Sequence, residues 1–210
     1  MSVMTLVLGK SGTGKSTSIR NLDQTTTALI KVIEKPLPFR AKGWVQYSTD
    51  NWSKIIAGAS KAVANGKQVI IVDDFQYLLA NEFMRRSDER GFDKFTEIAR
   101  HAWEVINALT ALPSHVRVYI LSHTDEVDGQ IKMKTIGKML DEKITPEGMF
   151  TIVLRTSVQD GEYLFSTRNN GADTVKTPMG MFDNDYIGND LADIDTAIRD
   201  YYDINAAQEQ

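Results

Sequence analysis

Apolar and polar positions along the chain alternate between short buried runs and amphipathic stretches. Val3 to Leu8 is apolar at nearly every position, the pattern of a central parallel strand covered on both faces. Lys15 to Asn21 is expected to start a first helix, and Thr27 to Ile33 is a second β-rich run ending at Glu34. Pro36 and Pro38 then exclude regular helix, Gly43 closes a loop, and Trp44 to Tyr47 reads as a short strand. Asn51 to Ala64 predicts a helix capped by Asp50 or Asn51 and stopped at Asn65-Gly66.

Gln68 to Val72 is a third buried strand that runs into Asp73-Asp74. Phe75 to Met84 and Phe92 to Leu112 read as helices on either side of a polar break from Arg85 to Gly91. In the longer one, Phe92, Phe95, Ile98, Ala102, Val105 and Leu109 recur at helical spacing, and Pro113 stops it. Val116 to Leu121 is a fourth strand ending in Ser122-His123-Thr124; the polar stretch from Asp125 to Thr145 is expected to hold a helix over Thr135 to Lys143. Beyond it the period changes. Phe150 to Val158 and Glu162 to Thr167 flank Gln159-Asp160-Gly161, a hairpin signal, and Asn169-Asn170-Gly171 marks a second turn. Leu191 to Tyr202 predicts an acidic helix. The order implies an α/β fold with a mostly parallel sheet flanked by helices and a C-terminal antiparallel hairpin. With no repeat and no clear linker, residues 1–182 are expected to form one domain and 183–210 an acidic tail carrying a helix.

Between the first strand and the expected helix lies GKSGTGKS, Gly9 to Ser16, which fits G-x-x-x-x-G-K-[ST]. Gly9, Gly12 and Gly14 permit backbone conformations that a Cβ would penalise, so successive N–H groups can curl around a phosphate. Lys15 is placed to reach the β- and γ-phosphates and Ser16 to ligate Mg²⁺. Gly9, Lys10, Ser11, Gly12, Thr13, Gly14, Lys15, Ser16 and Thr17 are thus the expected nucleotide-binding residues, with ATP and Mg²⁺ as ligands.

The run VIIVDD supplies the second half of such a site. A strand expected beside the phosphate-loop strand delivers Asp73 to the sheet edge, where it serves the metal; an Asp there could also act only as a helix cap. Hydrolysis needs a group that orients water, and two compete. Glu34 ends the second strand and has the longer reach; Asp74 follows the metal-side residue directly. Glu34 is favoured, with a surface pairing to Lys31 or Lys35 as its alternative. His123 is the expected sensor of the γ-phosphate.

Composition narrows the partners. The chain has 210 residues, 24 Lys and Arg against 28 Asp and Glu, and a net charge of −4, so nucleic-acid contact must come from a local basic stripe. Lys132, Lys134 and Lys138 could form one, although Asp125, Glu126, Asp128, Asp141 and Glu142 largely cancel them. Arg155, Arg168 and Lys176 could reach a neighbouring subunit's γ-phosphate as an arginine finger. The absence of cysteine excludes disulfides and thiolate metal sites and fits a reducing compartment. No apolar run approaches the ~20 residues of a membrane span, and the phosphate loop begins too early for a cleaved leader. A cytoplasmic, membrane-free protein is expected.

GKSGTGKST, EKPLPFR, VDDFQYL with NEFMRR, KTIGKMLDEKI, EGMFTIVLRT and FSTRNNG followed by KTPMGMF resemble the phage-encoded AAA-type nucleotide-binding proteins. Within that group they are similar to the RecA-related single-strand annealing proteins of phage recombination, over about Met4 to Phe182. The resemblance implies a RecA-like P-loop core, a Mg-dependent ATPase that acts on single-stranded DNA in the host cytoplasm, a homo-oligomer, and a single-strand-binding protein as partner. It also implies that the segment after His123 faces DNA. Two other classes use the same loop: an ATP-gated assembly or loader factor for a replication protein, and a small-molecule kinase, for which Arg85 to Arg90 would have to supply a lid.

Overall fold

In a computed structural model, which describes residues 1–204, the strands are β1 (Val3–Gly9), β2 (Thr27–Lys31), β3 (Gln46–Ser48), β4 (Val69–Asp73), β5 (Arg117–Val127), β6 (Gln130–Met133), β7 (Ile152–Gln159), β8 (Glu162–Ser166) and β9 (Tyr186–Gly188). The helices are α1 (Trp52–Ala64), α2 (Gln76–Arg85), α3 (Asp93–Thr110) and α4 (Leu191–Tyr201). The strands form a nine-stranded sheet in the order β3-β2-β4-β5-β1-β7-β8-β9, with β6 paired to β5. From β3 to β7 every neighbouring pair is parallel; β7–β8, β8–β9 and β5–β6 are antiparallel. The expected mostly parallel sheet with a C-terminal hairpin is therefore present.

Side chains alternate across a strand, so each apolar run feeds two cores. Leu6, Leu8, Ile30, Ile70, Val72, Val118 and Ile120 face one side and pack beneath α1, α2 and α3. Val7, Leu29, Ile71, Tyr119, Leu121 and Leu154 face the other, where Ile19, Trp44, Phe165 and the α4 residues Leu191, Ile194 and Ile198 cover them. The α1 N-terminus is capped as its sequence predicts, Asn51 Oδ1 accepting from Lys54 N at 3.1 Å. Among the described residues no helix is long and apolar enough to cross a membrane.

Four expectations are corrected. First, β4 is not beside β1; β5 stands between them. Both runs are equally apolar, and sequence order carries no information on which one slots against β1. Second, the helix after the glycine-rich loop is a single 3-10 turn, Ser16–Ile19. Ser, Thr and β-branched residues are weak helix formers, and the Ser18 hydroxyl donates to Lys15 O at 2.6 Å, a local alternative to helical bonding. Third, the segment after His123 is a hairpin. β5 continues to Val127 and turns through Asp128 (φ 51°) and Gly129 (φ 76°) into β6. Positive φ at both turn residues matches the twist of paired strands, and Asp-Gly is its sequence mark. The expected helix over 135–143 is reduced to a π-helical turn, Met139–Ile144, followed by a 3-10 turn, Pro146–Met149. Pro146 cannot supply an N–H to continue the first turn, and Thr145 takes a left-handed φ of 54° between the two. Fourth, residues from 183 onward are built into the body rather than appended. β9 extends the sheet beside β8 and α4 seals the second core, while residues 205–210 of the expected tail lie outside the described residues.

Candidate functional site

Parallel strands deliver their C-terminal ends to one edge of the sheet, and ligands of open α/β folds bind in the crevice beyond that edge. Here the edge carries the Gly9–Ser16 loop from β1, Asp73-Asp74 from β4 and His123 from β5. Because β5 lies between β1 and β4, His123 stands in the middle of the row. A cleft of about 510 Å³ opens over the loop.

The loop backbone leaves the strand at Gly9, where an added Cβ would collide with the Thr156 hydroxyl of β7. Gly12 and Gly14 take φ of 78° and 95°, the region L side chains avoid. The amide N–H groups of Gly12, Thr13, Gly14 and Lys15 donate to no protein acceptor among the described residues. Four adjacent open donors form a concave seat for an anion. Thr13 Oγ1 lies 2.6 Å from Thr156 Oγ1 and donates to Lys10 O at 2.8 Å, which ties the loop to β7.

Lys15 is buried, its ammonium donating to Gly9 O at 2.8 Å and Lys10 O at 2.9 Å. Burial pulls its pKa down to about 8, against the opposing charges of Asp74 and Asp73. Beneath it the Ser16 hydroxyl donates to Asp73 Oδ1 at 3.1 Å, and Asp74 N donates to the same oxygen at 3.0 Å. Burial, then the neighbouring charge of Asp74, pushes Asp73 up to about 6, although the Ser16 bond and Lys35 pull the other way. Its carboxylate is therefore short of partners, and the pair Ser16–Asp73 presents hard oxygen donors of the kind Mg²⁺ selects. Among the described residues no group of three or more His, Cys, Asp or Glu could hold a metal alone, so a cation here would complete its shell from phosphate and water.

Asp74 has a left-handed φ of 61°, an uncommon conformation for a non-glycine residue that the surrounding structure must enforce. That backbone aims its buried carboxylate back into the cleft. Lys35 Nζ lies 2.5 Å away and His123 Nε2 3.6 Å away. Burial raises the Asp74 pKa, but the His123 and Lys35 contacts outweigh it and hold the carboxyl below its usual range. The His123 ring meets Tyr77 edge-on at 5.9 Å.

The structure thus brings together Lys15, Ser16, Thr17, Asp73, Asp74 and His123. It does not bring Glu34 with them. β2 stands three strand positions from β1, roughly 14 Å at normal sheet spacing, and ends at Lys31, so the expected strand end falls short of Glu34. The Glu34 side chain is 76% exposed and pairs with Lys31 Nζ at 3.2 Å, the alternative its sequence left open. Its neighbour Lys35 enters the cleft instead.

The other basic residues singled out in the sequence meet partners within the chain, Lys134 and Lys176 through main-chain bonds. Lys132 lies opposite Asp125 across the β5–β6 hairpin, Lys134 N donates to His123 O at 2.8 Å, and Lys138 Nζ sits 3.7 Å from Glu142. Arg155 pairs with the buried Asp173 at 2.9 Å, Arg168 with Asp185 at 2.8 Å, and Lys176 forms a backbone bridge to Val153. Lys35, Tyr77, Arg20, Tyr163 and Asn189 also line the cleft and escaped the sequence reading. Lys35 directly follows Glu34 at the end of the second β-rich run, so it carried a local signal. Tyr163 and Asn189 arrive through antiparallel pairing of β8 and β9 and carry no local signal.

No protein-family model matches the chain, and no curated protein is similar to it at a significant level.

Proposed function

We propose that this chain is a Mg-dependent ATPase of RecA-like architecture that acts on single-stranded DNA, as its resemblance to the phage annealing proteins implies. The observation that carries the nucleotide half is the row of open amides at Gly12 to Lys15, flanked by a buried ammonium and a buried carboxylate–hydroxyl pair. A polyphosphate replaces the neutral carbonyl partners of Lys15 with anionic oxygens, which restores the charge that burial disfavours. Ser16 and Asp73 would hold Mg²⁺; when bound, the ion neutralises charge on the β- and γ-phosphate oxygens. Asp74 orients the attacking water. Its low pKa makes it a hydrogen-bond acceptor at neutral pH, and a positioned acceptor is what a loose phosphoryl-transfer transition state needs from the protein. His123 and Lys35 fix that carboxylate and supply positive or donor groups beside the departing phosphate.

The strand order supports the RecA-like reading, because β5 between the loop strand and the acidic strand puts a polar strand end against the hydrolytic carboxylates. The DNA half rests on continuity. β5 passes without a break from His123 into the β5–β6 hairpin, and Lys134 is bonded to the His123 carbonyl. A change at the terminal phosphate can therefore be felt at Lys132 and Lys134.

Calorimetry with Mg-ATP and phosphate-release assays with and without single-stranded DNA across a salt series test this. Binding heat, and DNA stimulation that fades steeply with log salt, are expected. Absence of heat removes the nucleotide reading. Heat with a salt-independent, DNA-blind rate removes DNA and favours an assembly factor.

A further inference from the structure

The cleft has two unlike ends. Asp73, Asp74 and His123 come from β4 and β5, on one side of β1, while β7, β8 and β9 lie on the other. β8 runs antiparallel to β7 and β9 antiparallel to β8, so the start of β8 and the end of β9 both return to the edge that holds the glycine-rich loop. Tyr163, just inside β8, and Asn189, just past β9, therefore line the cleft from that far side, joined by a bond from Asn189 N to Tyr163 O at 3.2 Å. Both press on the loop. An added Cβ at Gly14 would sit 2.9 Å from Asn189 Oδ1 and 3.0 Å from a Tyr163 ring carbon.

Asn189 is 6% exposed, yet its side-chain Nδ2 has no hydrogen-bond partner. A buried donor left open is costly, so its acceptor is expected to arrive with a ligand. The residue is also held firmly in place. Arg20, on the turn after the loop, donates to Asn189 O at 2.7 Å and pairs with Asp190 at 3.3 Å, and Asp190 caps α4 by accepting from Ala192 N at 3.0 Å. Tyr163 is an aromatic ring half-exposed at the mouth of a polar cleft, where core packing does not account for it.

A triphosphate whose terminal phosphate lies toward Asp73, Asp74 and His123 must run its α-phosphate, ribose and base toward β7–β9. We propose that Tyr163 and Asn189 are the base-recognition end of this cleft, with the Tyr163 ring stacking on the base and the Asn189 amide reading the edge of adenine. An aromatic face accepts any base, whereas a carboxamide sets a donor and an acceptor side by side, the complement of the adenine N6/N7 edge. The inference rests on the nucleotide-binding reading above and deepens it.

Binding by calorimetry, with Mg²⁺ present, separates the two. Inorganic tripolyphosphate probes the loop alone and ATP probes loop and base together. Wild-type protein should bind ATP at least about tenfold more tightly than tripolyphosphate, the scale of one stacked base. Tyr163→Ala and Asn189→Ala should each lower ATP affinity about tenfold while leaving tripolyphosphate affinity unchanged. GTP should bind more weakly than ATP in wild type and equally in Asn189→Ala. Unchanged ATP affinity in Tyr163→Ala, whose half-exposed position spares the fold, overturns the proposal even if Asn189→Ala does not fold. Equal wild-type affinity for ATP and GTP overturns the role of Asn189. Failure of wild-type protein to bind either polyphosphate overturns the nucleotide reading itself.

Discussion

Strand β5 carries two buried charged clusters, one at its start and one around His123 where its parallel pairing to β1 stops, and the two are built on opposite principles. At its start, Arg117 Nε and one terminal nitrogen donate to the two oxygens of Asp195 at 3.1 and 3.0 Å, the other terminal nitrogen donates to His115 O, and Tyr119 donates to Asp195 at 2.7 Å. The pair is bidentate, and the tyrosine hydroxyl is held protonated by its burial and by Asp195. Around His123, two aspartates crowd each other, one lysine is satisfied by neutral carbonyls, and a row of amides stays open. The Lys15 pKa falls to about 8 and that of Asp73 rises to about 6, both toward neutrality. The first cluster is complete without a ligand and belongs to stability. The second is left incomplete by the chain's own groups, a pattern that clusters at functional sites.

The widest separation is expected from Lys15→Ala. Loss of a transition-state donor in a dry site should lower ATP turnover by roughly 10³-fold, about 4 kcal/mol, with the melting temperature unchanged or raised because a desolvated ammonium is gone. Phosphate release and thermal melts measure both. A lowered melting temperature with intact turnover would assign Lys15 to the structural class and collapse the contrast.

One substitution made in both clusters should then act with opposite sign. Asp195→Asn leaves Arg117 buried without its counter-charge and should cost about 3 kcal/mol in denaturant melts, without changing nucleotide affinity of the folded protein. Asp73→Asn removes a carboxylate whose folded pKa stands above its unfolded value. The folded chain binds the extra proton between about pH 4 and 6, so this group's contribution to stability is lost as pH rises through that window and stays lost at neutrality. Asp73→Asn should therefore stabilise by about 1 kcal/mol at pH 7 and abolish Mg²⁺ dependence. In wild type, protons should compete with Mg²⁺ for Asp73 below about pH 6, so apparent Mg²⁺ affinity is expected to fall up to about tenfold per unit there. A destabilised Asp73→Asn protein with flat metal binding across pH 5–7 would contradict the assignment.

Much of this was legible in the chain before folding, and the unreadable parts share a cause. Local chemistry announced the loop, the acidic strand end, His123 and the Asp160-Gly161 hairpin, because glycine placement and strand period act within a few residues. The insertion of β5, the return of β9 and the arrival of Tyr163 and Asn189 depend on which distant run pairs with which, and apolar runs of equal quality do not state that. Glu34 failed for an intermediate reason. The strand ended at Lys31 rather than Ile33, and a shift of that size exchanged Glu34 for Lys35 at the cleft. The Asp128-Gly129 turn, by contrast, carried the same mark as Asp160-Gly161 and was readable.

The mildest test concerns how the open cluster is kept open. Thr156 Oγ1 of β7 lies 2.6 Å from Thr13 Oγ1, to which it can donate, and 3.2 Å from Leu8 O, so it links the loop to a strand outside the row of acidic ends. If the amides of Gly12 to Lys15 are aimed by that link, Thr156→Val should cost about 1 kcal/mol of ATP affinity, roughly fivefold, as a hydroxyl bond is lost at near-constant volume. Thr156→Ser keeps the hydroxyl and should bind as wild type. Both should melt within a few degrees of it, because the apolar contacts of β7 are untouched. Equal affinity in Val and Ser variants would mean that the glycine dihedrals alone shape the seat, and that the loop needs nothing from β7 beyond the space Thr156 denies to a side chain at Gly9.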